Sequence, residues 1–238
     1  FFILKKLIKT DKTIKYDVAI DFSAYNNIFS AYTLNSNANK KVIWIHNDYK
    51  IKYKNEFKFR VLFNLSKSKY KNFDEIVAVS EGVKESFKEL TGLTAKKVIP
   101  NYINTDEILK KSEEKVDFHV DDDNINFCFL GRLVYQKGLD LLFPIIKEYK
   151  KNNEEFQLYI IGDGPLKDKL INQVEELDLF DNITFLGAKN NPFPYLKKCD
   201  YLILNSRYEG QGMVALEAKS LGLKVIMPER LNKYLNID

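Results

Sequence analysis

Glu209 and Glu217 stand eight residues apart in the segment Ser206-Arg-Tyr-Glu-Gly-Gln-Gly-Met-Val-Ala-Leu-Glu217. A helix starting near Met213 presents open backbone N–H groups and the positive end of its dipole to an anion. The N–H groups of Gly210, Gln211, Gly212 and Met213 can then donate to a charged oxygen. Glu209, in the loop before the helix, can accept from two sugar hydroxyls, and Glu217, about one turn inside, can accept from a vicinal diol such as ribose. The pattern points to a ligand with both phosphate and hydroxyl groups. A structural account competes, with Glu209 as a helix-dipole partner and Glu217 as a surface residue. Against it, Leu216, Ala218 and Leu221 crowd Glu217, which needs a partner if buried.

Three further groups carry chemistry. Gly131-Arg-Leu-Val-Tyr-Gln-Lys-Gly138 follows an apolar run. Its first glycine permits a tight turn, Arg132 can grip phosphate oxygens with a forked guanidinium, and Lys137 can follow them as a mobile charge. A solvated basic turn is the alternative. In Ile161-Gly-Asp-Gly-Pro165, Gly162 lets the backbone approach a ligand closely and Pro165 suits a first helical turn. That segment also makes an ordinary strand-to-helix turn, and it lacks the three-glycine spacing of a dinucleotide fingerprint. His46 follows the apolar Val42-Ile-Trp-Ile45 and reads either as a ligand contact or as a satisfied structural histidine. His119 receives no role.

These residues fall at the ends of strongly patterned elements. Apolar strands are expected at 125–130, 156–161, 183–186, 201–204 and 225–227, and helices at 139–151, 166–177 and 214–221. Continuous apolar strands alternating with amphipathic helices indicate a doubly wound parallel sheet. The first half shows strands at 17–20, 42–45, 76–79 and 98–99. Residues 104–124 have little periodicity and include Asp121-Asp-Asp. The expected organisation is therefore a partial acceptor-side Rossmann-like domain (1–103), a linker (104–124) and a nucleotide-binding Rossmann-like domain (125–238). Ligands of such sheets bind at the strands' carboxyl ends, here between the two domains.

Composition narrows the function further. The 238 residues are 45% hydrophobic, enough for real cores. Cys128 and Cys199 lie in or beside apolar segments and read as reduced interior residues of a cytoplasmic protein. Only two histidines are present, neither near the cysteines, so a metal site is not expected. The opening Phe-Phe-Ile-Leu-Lys-Lys is too short for a signal peptide or membrane span, and without an initiator methionine the chain reads as the interior of a longer protein.

Residues 1–72 hold fifteen Lys/Arg against five Asp/Glu, a surplus of +10; the remainder holds 22 against 28, or −6. Lysines 50, 52, 54, 58, 67, 69 and 71 and Arg60 interleave with Tyr49, Phe57, Phe59, Leu62, Phe63 and Tyr70. Such a segment suits an anionic membrane surface, and equally a solvated face over core residues. No nucleic-acid recognition motif accompanies it.

Taken in order, Gly131-Arg-Leu-x-x-x-Lys-Gly138, Ile161-Gly-Asp-Gly-Pro165, Phe185-Leu-Gly187 and Glu209-Gly-x-Gly-x-x-x-x-Glu217-Ala resemble the donor domain of retaining glycosyltransferases of family 4, which have the two-domain GT-B fold. Phe73-Asp-Glu-Ile-Val-Ala-Val-Ser80-Glu, Val98-Ile-Pro-Asn101-Tyr-Ile-Asn104 and Trp44-Ile-His46-Asn-Asp are similar to segments of its acceptor domain. The resemblance covers nearly the whole chain. It implies that Arg132 and Lys137 neutralise the donor diphosphate, Glu209 holds the transferred sugar and Glu217 the ribose. Gly210, Gln211, Gly212 and Met213, with Gly131 and Gly162, line the donor pocket, and His46 contacts the sugar or its phosphate.

The implied reaction is transfer of a hexose or N-acetylhexosamine from a nucleotide diphosphate sugar to a cell-surface polysaccharide or lipid-linked acceptor, without cofactor or metal, in the cytoplasm or at the membrane's inner face. A non-catalytic sugar-nucleotide-binding module and a GT-B type nucleotide-sugar epimerase are the alternative readings. The family's N-terminal glycine-rich loop and C-terminal return are absent, and Leu223-Lys-Val replaces the usual Leu-Pro-Val. The chain is thus expected to hold donor-site residues without a complete acceptor site.

Overall fold

Strand alternation in the second half sends neighbouring side chains into two different cores. The structure, a computed structural model, describes residues 1–151 and 155–235, the side chains of 233 and 234 excepted. Among these residues, strands β1 (Tyr16–Asp21), β2 (Ala38–Ile45), β3 (Glu75–Ala78) and β4 (Lys97–Val98) form one parallel sheet in that spatial order. Strands β5 (Ile125–Leu130), β6 (Phe156–Ile161), β7 (Ile183–Gly187), β8 (Tyr201–Ile203) and β9 (Lys224–Ile226) form a second, ordered β7-β6-β5-β8-β9 and also parallel.

On one face of the second sheet, Phe127, Phe129, Leu158, Ile160 and Ile203 pack against helices Leu139–Lys150 and Lys167–Glu176. On the other, Cys128, Tyr159, Ile161, Leu202 and Leu204 meet helices Met213–Ser220 and Glu229–Leu235. Side chains of a strand alternate between faces, so continuous apolar runs are what a sheet covered on both sides requires.

The chain divides into two compact units. The first comprises Phe1–Asn101 with Tyr208–Gln211, and the second Tyr102–Arg207 with the described residues from Gly212 onward. Residues 104–124, read as the linker, contain helix Thr105–Ser112, which Asn104 caps by accepting from the Glu107 N–H at 3.1 Å. Farther along, Phe118 is buried against the rings of Tyr159 and Tyr195, at 5.0 and 5.2 Å. With so few apolar anchors, the segment carries too little periodicity to be read from sequence.

Helix Leu139–Lys150 contains Pro144, which has no N–H to donate to the Asp140 carbonyl one turn earlier. Gln173 fills the gap, its Nε2 donating to that carbonyl at 3.0 Å. The helix therefore continues past the proline with this acceptor satisfied.

Candidate functional site

In the second unit, β5 pairs with both β6 and β8, so the strand order reverses between β5 and β8. The carboxyl ends of strands flanking such a reversal open a crevice that backbone alone can line. Gly131 and Arg132 follow β5, Gly162 follows β6, and Asn205 lies just beyond β8.

The turns interlock through glycines. Gly131 N–H donates to the Ile161 carbonyl at 3.0 Å, and Gly162 N–H to that of Gly187 at 2.9 Å. Gly162 has φ +148°, and a Cβ there would lie 1.9 Å from the Gly131 carbonyl oxygen, so no side chain fits. Gly138, with φ +68°, likewise leaves only 2.4 Å between such a Cβ and the Asn205 carbonyl oxygen. Asn205 is buried, and its Nδ2 donates to the Gly138 carbonyl at 2.8 Å. The loops after β5 and β8 are thereby fixed to one another.

Arg207 strengthens that junction. Its guanidinium donates in a fork to both Asp140 carboxylate oxygens, at 2.7 and 2.6 Å, and to the Tyr135 carbonyl at 2.7 Å. It also lies 3.9 Å from the centre of the Tyr135 ring, while its backbone N–H donates to the Gln136 carbonyl at 2.7 Å. Arg230 holds the far side by donating to the Ser206 and Arg207 carbonyls. The guanidinium beside Asp140 holds its carboxyl below the usual range. This pair therefore stabilises the fold at neutral pH and loses that contribution as pH falls through the depressed value.

Asp140→Asn should lower stability by about 1–2 kcal/mol at pH 7, since Asp140 is partly solvated, and by much less in acid. Urea unfolding at both pH values measures the difference; an equal loss at the two would show that the ion pair is not responsible.

Lys137, half-buried, lies with its aliphatic stem over Gly131, a Cβ on which would sit 3.3 Å from Lys137 Cε. Its charge acts on Glu217. Burial raises the Glu217 carboxyl above its ordinary value, and the Lys137 ammonium offsets part of that rise. Between the ordinary and raised values the folded chain keeps a proton that the unfolded chain releases, so stability declines as pH rises through that interval. A bound hydroxyl pair donating to the carboxylate would relieve this cost.

Arg132 is exposed beside them. Helix Met213–Ser220 begins after Gly212, which takes φ +69° and supplies no side-chain cap, as expected of a helix end kept open for an anion.

The first unit carries the rest of the predicted set. His46 follows β2 with its Nε2 buried and without a hydrogen-bond partner among the described residues. The ring packs 4.3 Å from the Phe22 ring. Burial lowers the His46 pKa and thus favours the neutral ring.

Glu209 is buried. A Cβ on Gly210 would sit 1.8 Å from the His46 carbonyl oxygen. Ser80 Oγ donates to the Gly210 carbonyl at 2.7 Å. Gln211 turns its amide to the Asn101 backbone, accepting from the N–H and donating to the carbonyl. Its side chain thus fixes the loop, leaving the backbone as the part of Gln211 open to a ligand.

Residues 110–229 match the family described as glycosyl transferases group 1. The chain belongs to that family. A glycosyltransferase of Methanocaldococcus jannaschii is 30% identical to this group 1 chain over 235 residues, covering 93% of it and 57% of the relative. An N-acetylgalactosaminyltransferase of Campylobacter jejuni, named for a diphospho-undecaprenol-linked acceptor, is 31% identical over 175 residues, or 73% of this chain and 46% of that one. The chain spans about half the length of the curated relatives it matches. Among solved structures, a variant of S. aureus TarM bound to UDP superposes with TM-score 0.63 at 21% identity, over 83% of this chain and 38% of that one. The expected fold class, two Rossmann-like α/β units of GT-B type, is the one found.

Sequence reasoning did not single out Asn205, Arg207 or Asp140 in this group 1 site. Asn205 carried a usable signal as a polar residue directly beyond an apolar strand. Asp140 and Arg207 are 67 positions apart, and nothing local joins them.

Proposed function

We propose that this chain carries the donor side of a retaining transferase, which moves a hexose or N-acetylhexosamine from a nucleotide diphosphate sugar to a glycan or lipid-linked acceptor. The single observation that carries the reading is the half-buried Glu217 carboxyl with Lys137 as its neighbouring cation, one turn into an open-ended helix at the strand-order reversal. A carboxylate and a cation so placed match a ribose diol and a diphosphate on one ligand.

As the bond from the anomeric carbon to the diphosphate oxygen breaks, negative charge grows on the leaving group. In this reading Arg132, Lys137 and the N–H groups at Met213 meet it. Glu209 orients the sugar, and His46 contacts the sugar or its phosphate. The acceptor hydroxyl attacks from the face the diphosphate leaves, passing its proton to the departing phosphate oxygen. The cations take the part a divalent ion would otherwise play. The Campylobacter relative's named acceptor favours a lipid-linked glycan.

Isothermal calorimetry with UDP, GDP and dTDP in EDTA tests this. One of them should bind, and Glu217→Gln should weaken that binding about tenfold, the loss of a charge-assisted hydrogen bond. Unchanged affinity in the variant refutes the ribose assignment, and failure of all three diphosphates to bind refutes the donor reading.

A further inference from the structure

Helix Phe57–Ser66 is apolar on the side that should be polar. Phe59, Phe63 and Ser66 face inward, where Phe59 and Phe63 meet Tyr49 at 5.5 and 6.0 Å and Phe63 meets Tyr70 at 5.9 Å. That side is complete. At helical spacing Phe57, Val61 and Leu65 fall on the opposite side with Leu62 beside them, and they are 71, 41, 68 and 50% exposed. Four large apolar side chains in one stripe are not a scattered surface residue or two.

The charge around the stripe is mostly of one sign: the acidic residue next to it, Glu56 ahead of the helix, is half-buried and paired with Lys52 at 3.9 Å. From Phe57 to Asn72 there is no Asp or Glu, while Lys58, Arg60, Lys67, Lys69 and Lys71 are all cationic. Lys69 is turned inward, its Nζ donating to the Ala24 carbonyl at 2.6 Å and to Asn27 Oδ1 at 3.0 Å. Lys58, Lys67 and Lys71 are exposed. The Arg60 guanidinium lies 5.4 Å from the Phe57 ring, placing a cation at the stripe's edge. Lys54, just ahead of the helix, is exposed too.

We propose that this helix face docks on an anionic lipid bilayer, with Phe57, Val61, Leu62 and Leu65 entering the acyl boundary and the surrounding Lys and Arg lying among the headgroups. The occupant follows from complementarity. An apolar protein partner would satisfy the stripe but not the cations Lys54, Lys58, Arg60, Lys67 and Lys71 around it, and a nucleic acid would satisfy those cations while leaving the stripe in water. An anionic bilayer satisfies both, with apolar depth beneath a negative surface. The inference does not depend on the donor-site reading, because none of these residues belongs to it.

Flotation of the protein with mixed phosphatidylcholine/phosphatidylglycerol vesicles, against pure phosphatidylcholine, tests the proposal. Binding should require phosphatidylglycerol and fall sharply near 1 M salt, where the Debye length is about 3 Å. The double variant Phe57→Ser/Leu65→Ser should bind about tenfold or more weakly with an unchanged circular dichroism spectrum and thermal midpoint. Lys58→Gln/Lys67→Gln should show a loss of similar size. No binding to the mixed vesicles, or equal binding by the stripe variant, overturns the proposal. So does light scattering that shows the stripe variant to abolish self-association of a protein that ignores vesicles, which would assign the face to a second copy.

Discussion

Lys137→Ala is expected to lower turnover by about 10²–10³-fold while moving the thermal midpoint little, because under the proposed function the ammonium would act on charge that develops as the donor bond breaks. Lys137 sits between two roles. Its stem crosses Gly131 and its charge offsets part of the burial cost of Glu217. Removing it should therefore raise the Glu217 carboxyl further.

If nucleotide binding uses the carboxylate form, affinity is lost as pH falls through that pKa, so in the variant the loss should begin at a higher pH than in the parent. Release of nucleoside diphosphate from a nucleotide sugar gives the rate, and calorimetry across pH gives the second effect. A parental rate would remove Lys137 from the diphosphate role. An unmoved pH profile would separate it from Glu217.

Gly162→Ala should destabilise the protein by about 3–5 kcal/mol, at the severe end for a one-carbon change. The added Cβ would meet the Gly131 carbonyl oxygen at 1.9 Å, a backbone atom in a turn that is itself hydrogen-bonded to Ile161. Neither turn can withdraw without breaking the ladder that extends the sheet into the site.

Gly222→Ala is the matched control. That glycine also has a left-handed φ, +87°, but open space where the Cβ would go, so its cost should be only about 1 kcal/mol of backbone strain. Urea unfolding of the two variants separates collision from strain. Similar midpoints would show that the turns after β5 and β6 do not pack back to back.

Much of this was legible beforehand for an identifiable reason. In the second half, Phe127, Cys128 and Phe129 are all apolar because β5 has a core on each side, and an unbroken apolar run bounded by glycine announces itself without any tertiary knowledge. Helix Met213–Ser220 could be placed because glycines precede it and apolar spacing begins at once. Helix Thr105–Ser112 could not, because its buried contacts are few and local composition is dominated by charge. The first unit's helices give a weaker signal: the one over 57–66 carries large apolar side chains on both sides with Lys58, Arg60 and Asn64 among them, so no clean polar face marks its period.

The sequence by itself determined the parallel α/β class, the positions of the strand ends and the residue types available there, because strand period, glycine at the turns and a glutamate one turn into a helix are local properties. Only the tertiary structure decided which of those residues act on one another. That Lys137 tempers Glu217, that Gly162 backs onto Gly131, that Arg207 bridges to Asp140 and that Gln211 is engaged with Asn101 depend on the β7-β6-β5-β8-β9 order and on loop packing. The physical reason is range. Hydrogen bonds and close carbonyl contacts act over a few ångströms between residues tens of positions apart, and no local pattern along the chain records them.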